Sequence, residues 1–316
     1  MPRGPNLQQR QDFLLPPWPR WVRPDQSSTD LAEAAFRTGA ALALLDARGH
    51  AAAPFAGVWR RRLALKAAVA SARIIRRSED EQKLRDAFYL RRPADDPGPA
   101  GRLFAAWLTL CDHSAPLAGD VVLHVAETLQ LPRDEALFRA IAAAQNLANS
   151  EHGAPFAAAR IATAVLAHCP DAEVFSLWLA DAVLAHRLKW PRPVQLLATA
   201  LLHPAVRVHE RRPHPADQTS WLLSCLRAYD RGAQQACDLF SELSRRSQKL
   251  LSVAPRLRAK GAGAVIDLLH HDDAVPASAR IKTLSNRGLR RLFDRLVTLG
   301  AVQELSERPT FRLYGL

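Results

Sequence analysis

Apolar residues recur at helical spacing in one segment after another along this 316-residue chain, and proline or glycine interrupts the pattern between segments. Helices are expected from Asp30 onward, over Phe55–Arg77, from Ser78 to about Leu90, and over about 100–112, 118–130, 134–149, 155–168, 172–188, 194–202 and 218–251. No convincing alternation of apolar and polar residues, as in a strand, precedes residue 300. The pattern predicts a mainly α protein, a multi-helix bundle or array of helical hairpins.

Three segments are expected. Residues 1–30 contain six prolines and form a proline-rich N-terminal arm, because each proline removes a backbone donor and fixes φ. Residues 31–252 form an all-helical domain, and residues 253–316 form a separate domain with a different pattern.

Residues 253–316 follow the order of a winged helix-turn-helix with a short two-stranded wing. Three helices are expected over Gly261–His270, Pro276–Lys282 and Asn286–Leu299, and two strands over Ala301–Leu305 and Phe311–Tyr314. Gly300 is expected to end the third helix as a glycine in the left-handed conformation.

The positive charge is concentrated near the C-terminus. The chain carries 43 Lys and Arg against 31 Asp and Glu, a net charge of +12. Residues 245–316 alone hold fourteen basic and six acidic residues, a net charge of +8. Such a field attracts polyanions, including nucleic acid. The alternative is a solvated basic face that only keeps the protein soluble.

The third helix of this module is the candidate DNA-reading element, with Asp294 as the lone acid on its solvent face. Arginine and asparagine donate to base edges in the major groove, so base contacts are expected from Asn286, Arg287 and Arg290. Phosphate contacts are expected from Arg291, Arg295, Arg308 and Arg312. The alternatives are a helical hairpin that is Arg-rich for solubility and a winged helix that contacts protein.

Two resemblances arise from these residues. The stretch from Ser285 to Leu296, followed by Leu299-Gly300-Ala301-Val302, resembles the recognition helix and first wing strand of bacterial winged-helix regulators. It is also similar to the winged helix appended to Fic-type nucleotidyl-transferases. The HPFxxGNGR loop of those enzymes is absent, and the nearest stretch, at His203-Pro204, shares only its first two residues.

The wider chain resembles a bacterial family known only as domain of unknown function 1403. The resemblance rests on residues 59–68, 90–102, 177–185 and 254–265. It implies a two-part layout and a bacterial, cytoplasmic setting, and it carries over no activity.

A loop in the helical domain is a weaker candidate, for anion binding. Arg91, Arg92 and Arg102 surround Asp95 and Asp96, and the three arginines could hold an anion. The alternative, which the absence of a phosphate-binding glycine loop favours, is a turn tied by Arg–Asp pairs.

No catalytic residues, metal site or cofactor are expected. His168, His186 and His203 stand near predicted helix ends with no spacing that forces them together. Asp181 lies within an apolar helix, so it is expected to pair with an arginine or a helix N-terminus. The four cysteines are expected to be reduced thiols in a cytoplasm, and no apolar run is long enough to span a membrane.

The sequence therefore predicts a non-enzymatic DNA-binding regulator, of transcriptional or plasmid-maintenance type. The C-terminal winged helix would bind double-stranded DNA, and the helical domain would form a homodimer or sense a ligand or partner. The identity of a small-molecule effector is not readable from the sequence. The alternative is a helical adaptor whose winged helix contacts protein.

Overall fold

The computed structural model describes residues 30–49, 52–92, 95–208, 214–257, 259–306 and 310–316. Within these residues the twelve α-helices are Leu31–Gly49 (α1), Ala56–Ile74 (α2), Glu81–Tyr89 (α3), Gly98–Asp112 (α4), Gly119–Thr128 (α5), Glu135–Ala148 (α6), Ala154–His168 (α7), Glu173–Arg187 (α8), Leu197–Leu201 (α9), Gln218–Val253 (α10), Ala262–His271 (α11) and Asn286–Thr298 (α12). The strands are Val275–Pro276 (β1), Gln303–Glu304 (β2) and Leu313–Gly315 (β3). The mainly helical prediction is confirmed. Of the predicted arm at residues 1–30, residues 1–29 lie outside the described residues.

Local capping sets several helix boundaries. Asp80 caps α3 by accepting a hydrogen bond from the Lys83 amide at 2.9 Å, so this helix begins three residues after the predicted Ser78. Asp134 caps α6 in the same way, accepting from the Leu137 amide at 3.0 Å. A carboxylate at this position satisfies an amide that has no partner inside the helix.

The chain divides into two compact units. Among the described residues, the larger unit holds 30–49 and 60–236, and the smaller one holds 52–59 and 237–316. The smaller unit thus contains the predicted module at 253–316 together with the end of α10 and the start of α2.

In the larger unit, buried tryptophans join neighbouring helices. The Trp178 indole of α8 donates to the Ala106 carbonyl of α4 at 2.9 Å. The Trp107 indole of α4 donates to the Ser71 hydroxyl of α2 at the same distance. Because a buried indole N–H without a partner is costly, each of these bonds fixes the position of two helices.

Small residues let the helices of this unit approach closely. The buried face of α7 contains the alanines Ala157, Ala158, Ala159 and Ala162, and α7 packs against α6 and α8. Alanine combines high helix propensity with little side-chain volume, so these backbones come close together.

The smaller unit has an aromatic core. Phe240 of α10 contacts Phe55, with ring centroids 4.8 Å apart, and Trp59 of α2, edge to face at 5.4 Å. Phe293 of α12 stacks on Tyr314 of β3 at 4.2 Å with nearly parallel rings. These contacts join segments that lie far apart in the sequence.

The sheet of this unit has the order β1-β3-β2, and both pairs are antiparallel. The predicted helix over Pro276–Lys282 is wrong: Val275 and Pro276 form β1, and turns follow. The Ala277 amide donates to the Arg312 carbonyl at 2.9 Å, so it is used between strands and not within a helix. A seven-residue helix would have little internal stabilisation to set against this pairing.

Candidate nucleic-acid interface

Helix α12 is held from both ends and along one face. Ser285 caps it by accepting a hydrogen bond from the Gly288 amide at 3.1 Å. At the other end Gly300 has φ +63°, and the amides of Gly300 and Ala301 donate to the carbonyls of Val297 and Leu296. This pair of bonds is the Schellman motif, and it confirms the predicted terminating glycine. The buried residues are Leu289, Leu292, Phe293 and Leu296.

The exposed surface of α12 carries every predicted contact residue of the helix. Asn286, Arg287, Arg290, Arg291 and Arg295 are all exposed. Three of these arginines stand four residues apart, at positions 287, 291 and 295, so they form a row of like charges. Among the described residues, no carboxylate forms an ion pair with any of the four arginines.

Four arginines on other helices pair with an acid one turn earlier. The pairs are Glu33–Arg37 on α1 at 2.8 Å, Glu81–Arg85 on α3 at 3.1 Å, Glu135–Arg139 on α6 at 2.5 Å and Glu242–Arg246 on α10 at 2.5 Å. Such pairs stabilise a helix, whereas like charges at this spacing destabilise it. The charge pattern of α12 therefore differs from the arrangement that favours helix stability.

The structure describes one of the two predicted wing contacts. Arg308 lies outside the described residues. Arg312 is exposed and stands directly before β3, where its guanidinium lies 3.6 Å from the Glu304 carboxylate of β2. A phosphate at Arg312 would compete with this carboxylate.

A groove of about 750 Å³ runs along one side of α12. Pro255, Leu257, Leu284 and Leu292 contribute apolar surface to it. Arg291 and Arg295 line it from α12, and Arg256 lines it from the 3₁₀ turn Ala254–Arg256 that follows α10. Arg256 was not among the predicted contact residues; the only sequence signal for it is the excess of positive charge in this region.

In the larger unit, the predicted anion-binding loop is tied by its own groups. Arg102 forms two hydrogen bonds with the Asp96 carboxylate. Arg91 donates to the Asp95 carbonyl at 3.2 Å, and its guanidinium lies 5.2 Å from the centre of the Phe88 ring. The Arg92 amide donates to the Asp95 carboxylate at 3.3 Å. These contacts match the alternative of a structural turn.

The carboxyl group of Asp181 in the larger unit has a strongly raised pKa. It is fully buried in α8 and accepts hydrogen bonds from the amides of Leu196 at 3.0 Å and Leu197 at 3.1 Å, at the start of α9. Burial raises its pKa to about 7, and the two amide bonds oppose that rise. Of the two expected partners, an arginine or a helix N-terminus, the structure shows the helix N-terminus. Burial and the nearby Asp181 also raise the pKa of Cys225 and of Tyr229 on α10.

The described residues contain no group of three or more His, Cys, Asp or Glu side chains that could hold a metal ion. His203 instead accepts a hydrogen bond from the Ala205 amide at 3.1 Å through Nδ1, and its Nε2 lies 3.1 Å from Arg231. The four cysteines are free thiols. Within the part of the chain that the structure describes, none of the helices combines the length and apolarity that crossing a membrane requires.

The profile of the family described as "Protein of unknown function (DUF1403)" matches residues 6–316. No match is found among curated proteins.

Proposed function

Since the chain belongs to the DUF1403 family, whose function is unknown, we propose a function from the geometry of its smaller unit: binding of double-stranded DNA through helix α12. The observation that carries the proposal is the exposed row formed by Arg287, Arg291 and Arg295, in a helix where no described carboxylate pairs with an arginine. Like charges four residues apart cost about 0.2–0.5 kcal/mol per pair. A polyanion relieves that repulsion and releases counterions from its own phosphates.

The order of elements supports a winged-helix-like module. Helix α11 is followed by β1, α12, β2 and β3, and the sheet has the order β1-β3-β2. In this interpretation turns after β1 replace the second helix, and α12 is the recognition helix. Its apolar side is fixed by Phe293 stacked on Tyr314, so the arginine side is presented on a rigid support.

The side chains of α12 divide into two proposed roles. Asn286, Arg287 and Arg290 occupy its N-terminal part, where a recognition helix contacts base edges. Arg291, Arg295 and Arg312 contact phosphates, as does Arg308, which the sequence predicts to lie in the wing. Arg312 contributes less than the others, because Glu304 already lies beside it.

The test is selection of duplexes from genomic fragments by the purified protein, followed by binding isotherms at several salt concentrations. Arg290→Ala is expected to weaken binding to the selected duplex by roughly 1–3 kcal/mol and to relax base preference there. Arg308→Ala is expected to weaken all duplexes alike and to reduce the salt slope by about 0.9. The same isotherms give the stoichiometry, one chain or two per duplex.

Arg139→Ala is the matched control, because it removes one positive charge from an exposed arginine of α6 in the other unit. It is expected to leave binding unchanged. Absence of binding by the wild type at low salt, or equal binding by all variants, would rule out the DNA proposal.

A helical adaptor is the second candidate, and one observation favours it. Phe311 beside the wing is 68 % exposed and has φ +60°, and Val297 on α12 is 39 % exposed. A strained backbone that displays an aromatic ring is typical of contact sites. If the wild type binds no duplex and Phe311→Ser abolishes capture of a protein partner, the adaptor role replaces DNA binding. Neither candidate includes a catalytic step.

A further inference from the structure

The groove beside α12 has two kinds of surface. Pro255, Leu257 and Leu284 make part of it apolar, and three arginines also line it: Arg256, Arg291 and Arg295. All three arginines are exposed, and none forms an ion pair with a described carboxylate. The groove therefore combines an apolar surface with positive charge that is not neutralised within the described chain.

The arginines of α12 point in different directions around its axis. At about 100° per residue, Arg291 and Arg295 lie roughly 40° apart, whereas Arg290 lies about 100° from Arg291. Arg291 and Arg295 line the groove and Arg290 does not. The helix thus has a groove side and a side that faces away from the groove.

One sugar–phosphate strand matches this combination of surfaces. Its phosphate oxygens carry negative charge and accept forked hydrogen bonds from guanidinium groups. Its deoxyribose carbons are apolar and can lie on leucine and proline side chains. A strand in the groove would leave the other side of α12, with Arg290, for base edges.

We propose that this groove is the seat of one sugar–phosphate strand of a DNA duplex, with Arg256 as a phosphate-binding residue beside Arg291 and Arg295. The inference rests on the proposed DNA-binding function and adds a residue outside the recognition helix and wing. Arg256 is placed by the 3₁₀ turn, in which the Leu257 amide donates to the Ala254 carbonyl at 3.0 Å. Pro255 within this turn fixes the backbone that carries Arg256.

The test compares the wild type with Arg256→Ala, Arg256→Lys and Arg280→Ala on the same duplexes at several salt concentrations. Arg280 is the matched control, because it is an exposed arginine of the same unit that does not line the groove. Arg256→Ala is expected to weaken all duplexes alike and to lower the salt slope by about 0.9, as loss of one phosphate contact does. Arg256→Lys should keep the wild-type slope because it keeps the charge. Urea unfolding of each variant shows that the fold is intact.

Three results would overturn the inference. If the wild type binds DNA and Arg256→Ala behaves like Arg280→Ala, the groove does not hold the strand, although DNA binding stands. If Arg256→Ala keeps the wild-type DNA slope but loses affinity for poly-L-glutamate, the groove instead takes an acidic protein segment. A wild type that binds no duplex would remove the DNA-binding function and this inference together.

Discussion

Asp181 holds the start of α9 from within an apolar core. Its carboxylate accepts the amides of Leu196 and Leu197, which lack partners inside the helix because they stand at its first turn. Gly232 of α10 lies so close that an added Cβ would stand 2.7 Å from the Leu196 carbonyl oxygen. The carboxyl group is thus kept away from water by packing on the segment that it caps.

The raised pKa of Asp181 predicts a pH dependence of stability. The folded state binds this proton more tightly than the unfolded chain, because burial raises the pKa from 3.8 to about 7. The resulting stabilisation is fully present below the pKa of Asp181 in the unfolded chain. It is lost as the pH rises through the pKa of Asp181 in the folded state. The loss is on the order of 4 kcal/mol, at about 1.36 kcal/mol per pKa unit.

Urea unfolding at about pH 5 and about pH 8 measures this effect. Asp181→Asn cannot titrate, so the advantage of the wild type over this variant should shrink between the two pH values. The exposed Asp171 supplies the control, and Asp171→Asn should keep the pH dependence of the wild type. An Asp181→Asn variant with that same dependence would contradict the raised pKa.

Helix α12 combines strong local signals with an unfavourable charge pattern. Its Ser285 cap and Gly300 terminator follow from residue type, and its apolar residues repeat at helical spacing. The row formed by Arg287, Arg291 and Arg295 opposes these signals. Under the proposed function, bound DNA would offset the cost of these like charges.

The variant Arg291→Glu tests whether the row of arginines destabilises α12. The change turns the like-charge spacings to Arg287 and Arg295 into opposite-charge ones, and turns the single opposite-charge spacing to Asp294 into a like-charge one. The net effect should stabilise the protein by about 0.5–1 kcal/mol. The gain should appear in urea unfolding at low salt and fade in high salt, where charges are screened. DNA binding should weaken at the same time. A variant that loses stability would show that the row does not strain the helix.

Gly300 tests the end of the same helix. Its φ of +63° disfavours any residue with a Cβ, so Gly300→Ala should destabilise the protein by about 1–2 kcal/mol. Gly263, in the first turn of α11, has open space around an added Cβ and no positive φ. Gly263→Ala should therefore be neutral or stabilising, by up to about 1 kcal/mol. Thermal unfolding of both variants measures the contrast, and equal effects would be inconsistent with a left-handed terminator.

At the scale of the whole molecule, the smaller unit is built from two separate stretches of the chain. Residues 52–59 and 237–316 share it, and Phe240 contacts both Phe55 and Trp59 in its aromatic core. The Ser247 hydroxyl of α10 also lies 2.9 Å from Nε2 of the buried His270 on α11. The division predicted at residue 253 remains a prediction; a fragment cut there would lose these contacts.

Phe240→Ala should therefore destabilise the full chain strongly, by about 3–5 kcal/mol, because it leaves a cavity among buried aromatic rings. Phe138→Ala is the matched control, since this phenylalanine of α6 is 47 % exposed. The control should change the unfolding free energy by less than about 1 kcal/mol. Urea unfolding compares the two variants. Equal small effects would show that Phe240 is not part of a tightly packed core.

The sequence by itself determined features that depend on neighbours a few residues away. The mainly helical character, the apolar side of α12, its exposed arginines and its glycine terminator all followed from spacing and residue type. The capping residue of α3 did not follow from residue type alone. Asp80 caps this helix where Ser78 was expected, because several residues near a helix start can accept hydrogen bonds from the same amides.

Only the tertiary structure decided the features that depend on contacts between segments far apart in the sequence. Val275 and Pro276 form a strand because β3 lies beside them, so the expected short helix does not form. Asp181 is paired because the chain brings the α9 amides to it, and Arg256 joins α12 because a turn places it at the groove. Spacing along a sequence carries information on residues one or two turns apart, whereas these contacts arise only when separate segments pack together.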